Sequence, residues 1–290
     1  TSNTNYPKCA ICIENEGCSG SNKTGPRNNL RLIPLKLNNK NWYLQYSPYG
    51  YYNEHCILIS EEHTPMYIGK DNTRVLCQFV NYLPHYFIGS NADLPIVGGS
   101  ILSHNHFQGG NYILPMMKVK DKFVVNTNNK NIILSVIDWP VTTIKIVSKD
   151  EEEIVDTVDK IFKYWDNYNS IENNIISHTE NTRHNTINTV LRKEKDNYIC
   201  YVMLRNNQTD ENHKDGIFHV DKSRQIIKQE NIGLIEAMGL FILPARLKRQ
   251  LSIVESILNN KISMNDALVL DETFDQYNDI INDLKNKKYS

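Results

Sequence analysis

Apolar positions along the chain fall into short runs and helical stripes. "LRLIPLKL" at 30–37, "NWYLQYSPYGYY" at 41–52 and "CILIS" at 56–60 are brief apolar or aromatic runs bounded by Asn, Pro and Gly, the pattern of strands. "NTRVLCQFVNYLPHYFI" at 72–88 spaces its apolar residues at helical intervals and is followed by Gly89 as a stop, which predicts a helix. Strands resume in "KFVVNTNNKNIILSVIDWPVTTIKIV" at 122–147. Residues 150–168 open with acidic side chains and carry a mixed apolar stripe, which predicts a second, amphipathic helix. "NYICYVMLRNN" at 197–207 reads as a strand, "HKDGIFHV" at 213–220 as a turn into another, and the chain from 231 onward as largely helical. There is no exact internal repeat, low-complexity linker or heptad array. The mixture predicts an α+β fold in which helices cover a sheet, with any joint between halves near 115–120.

Composition narrows the partners. The 290 residues are enough for one large domain or two ordinary ones. With 32 Lys and Arg against 33 Asp and Glu, the formal net charge is -1 and no basic block stands out. That excludes a general nucleic-acid binder, whose affinity rests on clustered cations, and leaves local phosphate contacts open. No apolar run approaches the roughly 18–20 residues of a membrane span, and residues 1–20 lack the pattern of a signal peptide. A cytoplasmic protein without membrane contact is the expectation. Six scattered cysteines do not make a disulfide framework, so reduced thiols are expected. The start at Thr1 and the polar lead-in "TSNTNYPK" suit a piece of a longer protein.

Chemistry concentrates in "ILSHNHFQGG" at 101–110. In an extended strand His104, His106 and Gln108 share one face, because side chains alternate with a period of two. "CAIC" at 9–12 can place Cys9 and Cys12 at the spacing of two zinc thiolates, but the motif alone equally describes two buried thiols. Distant histidines would have to complete a site. His63, in "ISEEHTPM" at a strand end, and His104 are the candidates, and a Cys2His2 set would clip the N-terminal segment onto the histidine strand. His55, next to Cys56, either lines that region or caps its strand. His85, His178 and His213 read as ordinary surface or core residues.

At this point the resemblance is specific. "GGSILSHNHFQGG" at 98–110 resembles the active-site strand of galactose-1-phosphate uridylyltransferases of the histidine-triad superfamily, and the surrounding text resembles their type 2 branch. "CAICIENEGCSG", "YGYYNEHCILISEEHTPM", "SNADLPIVGGSILSHNHFQGG", "HNTI", "MLRNN", "DGIFH" and "ENIGLIEAMGLFILPARLK" all fit, from about Cys9 to Leu251. The resemblance implies histidine-triad-like antiparallel sheets with covering helices in two related halves, divided here into 1–117 and 118–290. It also implies a longer N-terminus than this chain has.

Moving a uridylyl group between two sugar phosphates needs a nucleophile that attacks phosphorus and leaves again. Neutral imidazole, largely unprotonated at pH 7, suits it. The resemblance makes His106 that nucleophile, with UDP-glucose as donor and galactose-1-phosphate as acceptor by a ping-pong route. It assigns Cys9, Cys12, His63 and His104 to a structural zinc, and to Gln108 a hydrogen bond to a non-bridging phosphoryl oxygen. Gly98, Gly99 and Ser100 can bring backbone N–H groups and a hydroxyl close to phosphate. Arg27 and Arg31 are substrate-side candidates by analogy with an arginine-bearing segment early in the family, and Asn91 by analogy with an asparagine near the uridylyl phosphate. Many family members are dimers, so a homodimer is a further implied partner. Two other readings stay open: a histidine-triad nucleotide hydrolase or phosphorylase, and an inactive zinc-stabilised binding fragment.

Overall fold

The computed structural model describes residues 8–20, 25–99, 101–228 and 232–286. The chain forms two compact units, one of residues 1–217 with 232–240 and one of residues 218–231 with 241–290.

The first unit is built on one antiparallel sheet. In chain order its elements are β1 (Ile33–Leu37), β2 (Lys40–Tyr46), β3 (Cys56–Ser60), α1 (Lys70–Tyr82), β4 (Phe87–Ser90) and β5 (His106–Gly110). After a 3-10 turn at Pro115–Lys118 come β6 (Asp121–Val125), β7 (Ile133–Ile137), β8 (Thr143–Ser148) and α2 (Glu151–Asp166). A small ribbon, β9 (His178–Thr179) with β10 (Thr182–Arg183), precedes β11 (Asn185–Glu194) and β12 (Asn197–Asn206). The ten long strands lie in the order β1-β2-β3-β5-β4-β11-β12-β8-β7-β6. From either edge inward the sequence of events is the same: a three-strand meander, a helix, then two strands of which the later slots in beside the meander. The sheet is therefore two halves of like topology, joined where β4 pairs with β11, Ser90 opposite Thr189 and Phe87 opposite Arg192. No sequence repeat betrays this, because topology requires only matching apolar periods.

Alternation along the strands builds two cores. Leu58, Ile88, Phe107, Leu191, Cys200 and Val202 face α1 and α2, meeting Val75, Leu76, Phe79, Ile154, Val155 and Val158 in a buried layer. Each such side chain contributes about 1.5–3 kcal/mol of burial. On the opposite face Phe87, Val190, Tyr201 and Met203 are covered by Leu114, Met116 and a segment holding the four-residue α3 (Leu234–Ala237).

The predicted helix at 72–88 is shorter in the structure. α1 ends at Tyr82, and Leu83 leaves helical geometry at φ -123 and ψ 78. Pro84 follows; its ring disfavours the helical conformation of the residue before it, so "FIGS" became a central strand and not the last turn of a helix. α2 matches the expectation closely: Asp150 caps it by accepting from the Glu152 amide at 2.8 Å, and three glutamates in the first turn complement the dipole. The turn expected at 213–220 leads into no strand among the described residues.

The second unit is helical, with α4 (Arg246–Leu258), α5 (Met264–Leu270) and α6 (Asn278–Lys285). They pack through Leu247, Ile253, Ile257, Phe274, Tyr277 and Ile281, and a capping box between Ser263 and Asp266 starts α5. Among the described residues no helix is long and apolar enough to cross a membrane.

Candidate active site and metal cluster

The catalytic candidates are set by the register of β5. Phe107 is fully buried on the helix side, stacked on Trp42 at 5.2 Å, so its neighbours His106 and Gln108 project to the other face. β3 and β4 flank the strand, with Ile59 opposite His106 and both Ile57 and Gly89 opposite Gln108. His106 is 6% exposed, and its Nδ1 donates to the His104 carbonyl at 2.7 Å. That bond fixes the tautomer and leaves the Nε2 lone pair free. Burial lowers the His106 pKa below the usual imidazole value, with the His104 carbonyl opposing it, so the ring is neutral at pH 7. A neutral imidazole with one oriented lone pair is a nucleophile.

Gln108 lies beside a residue that sequence reasoning left ambiguous. Its Oε1 is 3.4 Å from His55 Nε2, across the β3–β5 pairing. The signal was present in the spacing, since His55 and Ile57 alternate onto one side, but it needed the pairing partner of β3 to be known. Nothing in the sequence singles out Arg205 within "MLRNN". It is 9% exposed and donates to Asn188 Oδ1 and the Ile232 carbonyl, each at 2.7 Å. Burial lowers its pKa to about 10, which still leaves a cation within the sheet face.

Asn91 is 1% exposed. Its Oδ1 accepts from the Leu234 amide at 3.3 Å, while its Nδ2 is buried without a partner among the described residues. Gly99 backs onto this amide so closely that a Cβ there would sit 2.7 Å from Nδ2. The glycine therefore serves close approach. Ser100 lies outside the described residues. Arg27 is half-buried in a loop where its amide donates to the Cys18 carbonyl at 2.7 Å. Arg31 is exposed and its Nη1 donates to the carbonyls of Asn28 and Leu30, both at 2.8 Å. Among the described residues no hydrogen bond or ion pair joins either arginine to His106, Gln108 or Asn91.

Four other side chains converge beside the strand. Cys9, Cys12, His63 and His104 bring one ligand atom each to within 4.8 Å of one another. Cys9 Sγ is 3.4 Å from Cys12 Sγ and 3.3 Å from His104 Nδ1, and Cys12 Sγ is 3.2 Å from His63 Nδ1 and 3.8 Å from His104 Nδ1. A zinc tetrahedron with bonds of about 2.0–2.3 Å has edges of roughly 3.3–3.8 Å, close to these four separations, and two thiols with two imidazoles are a donor set of the kind that ion takes. His104 Nε2–H donates to the Ser60 carbonyl at 2.9 Å, which keeps the ring proton on Nε2 and leaves the Nδ1 lone pair for a metal. Burial pushes the Cys9 thiol up to about 11, and coordination to a divalent cation would reverse that shift. The four also tie the N-terminal loop to the bend that leads into β5, with His104 two residues before His106, the first residue of that strand.

The site thus defines a class: an antiparallel sheet, backed by helices, that presents a buried neutral imidazole next to a cluster of two cysteines and two histidines. The family described as "Galactose-1-phosphate uridyl transferase, C-terminal domain" matches residues 79–267, and the chain belongs to it. Among curated relatives, the galactose-1-phosphate uridylyltransferase of Clostridium acetobutylicum is 45% identical over 98% of this chain and 57% of its own length. That of Clostridium perfringens is 44% identical over 99% and 60%. That of Fusobacterium nucleatum is 46% identical over 89% and 51%. The chain spans about half to three-fifths of the length of these relatives.

Proposed function

We propose that this chain carries the nucleophile of a uridylyltransferase that moves UMP from UDP-glucose to galactose-1-phosphate. The observation that carries the reading is His106: a buried, neutral imidazole whose Nδ1 is committed to a carbonyl and whose Nε2 has no hydrogen-bond partner among the described residues. Nε2 attacks the α-phosphorus of the donor, the bond to the departing glucose-1-phosphate oxygen breaks, and a uridylyl-histidine forms. The positive charge that then spreads over the imidazole is stabilised through the Nδ1–H bond to the His104 carbonyl. A galactose-1-phosphate oxygen attacks in turn, the N–P bond breaks, and His106 is restored. Gln108, on the same face, donates to a non-bridging oxygen and offsets charge in both transition states. The buried Asn91 amide and Gly99 belong to the same phosphate side.

Cys9, Cys12, His63 and His104 would hold a zinc ion. With four protein ligands the ion would be structural, closing the N-terminal loop over the base of β5. The setting is cytoplasmic, and a second copy of the chain is the expected protein partner.

A ping-pong route has a signature that needs no second sugar. Labelled glucose-1-phosphate should exchange into UDP-glucose in the absence of galactose-1-phosphate, and His106→Ala should abolish the exchange. Net hydrolysis of UDP-glucose without exchange would favour a hydrolase, and inorganic phosphate acting as acceptor would favour a phosphorylase.

A further inference from the structure

We infer that His55 is a positioning residue for Gln108, holding its carboxamide so that the amide hydrogens, and not the oxygen, face the phosphoryl group. The inference rests on the uridylyl-transfer reading of the site.

His55 is 4% exposed and immediately precedes β3, the neighbour of β5. Its ring plane is clamped, with Tyr51 stacked at 5.3 Å and 21° on one contact and Tyr52 tilted at 4.6 Å and 44° on another. Within that clamp Nε2 lies 3.4 Å from Gln108 Oε1. Nδ1 is buried and has no partner among the described residues. A neutral imidazole has one proton to place. On Nε2 it donates to the Gln108 oxygen and leaves only a lone pair without a partner on Nδ1. On Nδ1 it would set two lone pairs against each other and bury an unpaired N–H as well.

The consequence falls on Gln108. Its terminal torsion is broad and roughly two-fold, so an unrestrained carboxamide presents oxygen to the phosphate about as readily as nitrogen. Oxygen toward an anionic phosphoryl group is repulsive; nitrogen donates a hydrogen bond that strengthens as charge develops. His55 selects the second. Burial also holds the His55 pKa below the ordinary imidazole value, against the bond to Gln108, which keeps the ring in the neutral, single-donor state.

The test is a double-mutant cycle on the rate of uridylyl-enzyme formation from UDP-glucose, with His55→Ala, Gln108→Ala and the pair. His55→Ala should slow the step by about 10–100-fold while changing UDP-glucose affinity less than about 3-fold. In the Gln108→Ala background the same substitution should cost almost nothing, because the group it positions is gone. His55→Gln, which keeps an amide donor and side-chain bulk, should recover part of the rate and guards against a mere folding defect. Nitrogen-15 spectra should show His55 as the Nε2–H tautomer. Equal losses from His55→Ala in both backgrounds, or an Nδ1–H tautomer, would overturn the inference. Absence of any uridylyl adduct in the unmodified protein would instead overturn the reaction on which it rests.

Discussion

Substituting Gly109 by alanine tests the geometry that aims His106 and Gln108 along β5. Gly109 is buried in β5 between Cys56 of β3 and Ile88 of β4. A Cβ at this position would lie 2.5 Å from the Phe87 carbonyl oxygen and 2.9 Å from Ile88 Cδ1. The isoleucine methyl can rotate away; the carbonyl belongs to the paired backbone and cannot. A normal carbon–oxygen contact is roughly 3.3 Å, so β4 and β5 must separate by several tenths of an ångström, at a cost of about 1–3 kcal/mol for overpacking. In a unit of this size 1 kcal/mol corresponds to about 2–4 °C, which gives an expected fall in Tm of about 2–12 °C. The adjacent Gln108 moves with the strand, and misplacement approaching 1 Å can cost on the order of 100-fold in rate. Thermal unfolding and the rate of uridylyl-enzyme formation are the assays. Gly25→Ala is the control, since its nearest neighbour would be Arg27 Nη1 at 4.0 Å. If Gly109→Ala melted within about 1 °C of the parent and reacted at the parent rate, Gly109 would not lie in this close β4–β5 register.

Metal analysis of the purified protein should find about one zinc per chain, and Cys12→Ala or His63→Ala should lose it together with several degrees of Tm. The pH dependence has a defined sign. Burial depresses the folded pKa of His55 and His106, so the unfolded state binds more protons below about pH 6.5; stability should be full above that value and fall as the solution is acidified. The rate of adduct formation should stay level from pH 8 down past 6.5, because His106 remains neutral there, and a decline centred at or above 6.5 would contradict its burial. Arg205→Ala leaves Asn188 Oδ1 and the Ile232 carbonyl without their donor, and should cost about 2–4 kcal/mol in urea unfolding.

What the sequence disclosed depended on how local the cause was. "CILIS" at 56–60 coincides with β3, and the acidic start at 150 with the capped α2, because strand bounds and caps are written in adjacent residues. The common face of His106 and Gln108 follows from a period of two and needed no partner, whereas His104, expected on the same strand face, lies in a bend two residues before β5. Other features depend on residues far apart. The segment at 87–90 continues an apolar pattern that reads as helix, and only Pro84 with the pairing to β5 and β11 makes it a strand. That β5 slots between β3 and β4 is a long-range choice, and His55 meets Gln108 only because of it. The four ligand atoms at Cys9, Cys12, His63 and His104 span nearly a hundred residues; spacing alone left "CAIC" open between thiols and metal.

The central claim is that His106 Nε2 attacks the α-phosphorus of a uridine diphosphate sugar. Intact-protein mass followed by peptide mapping, after incubation with UDP-glucose alone, addresses it most directly. The account predicts one UMP adduct per chain, mapped to His106, absent from His106→Ala and removed by galactose-1-phosphate with formation of UDP-galactose. An adduct on another residue, or one that forms equally in His106→Ala, would contradict it.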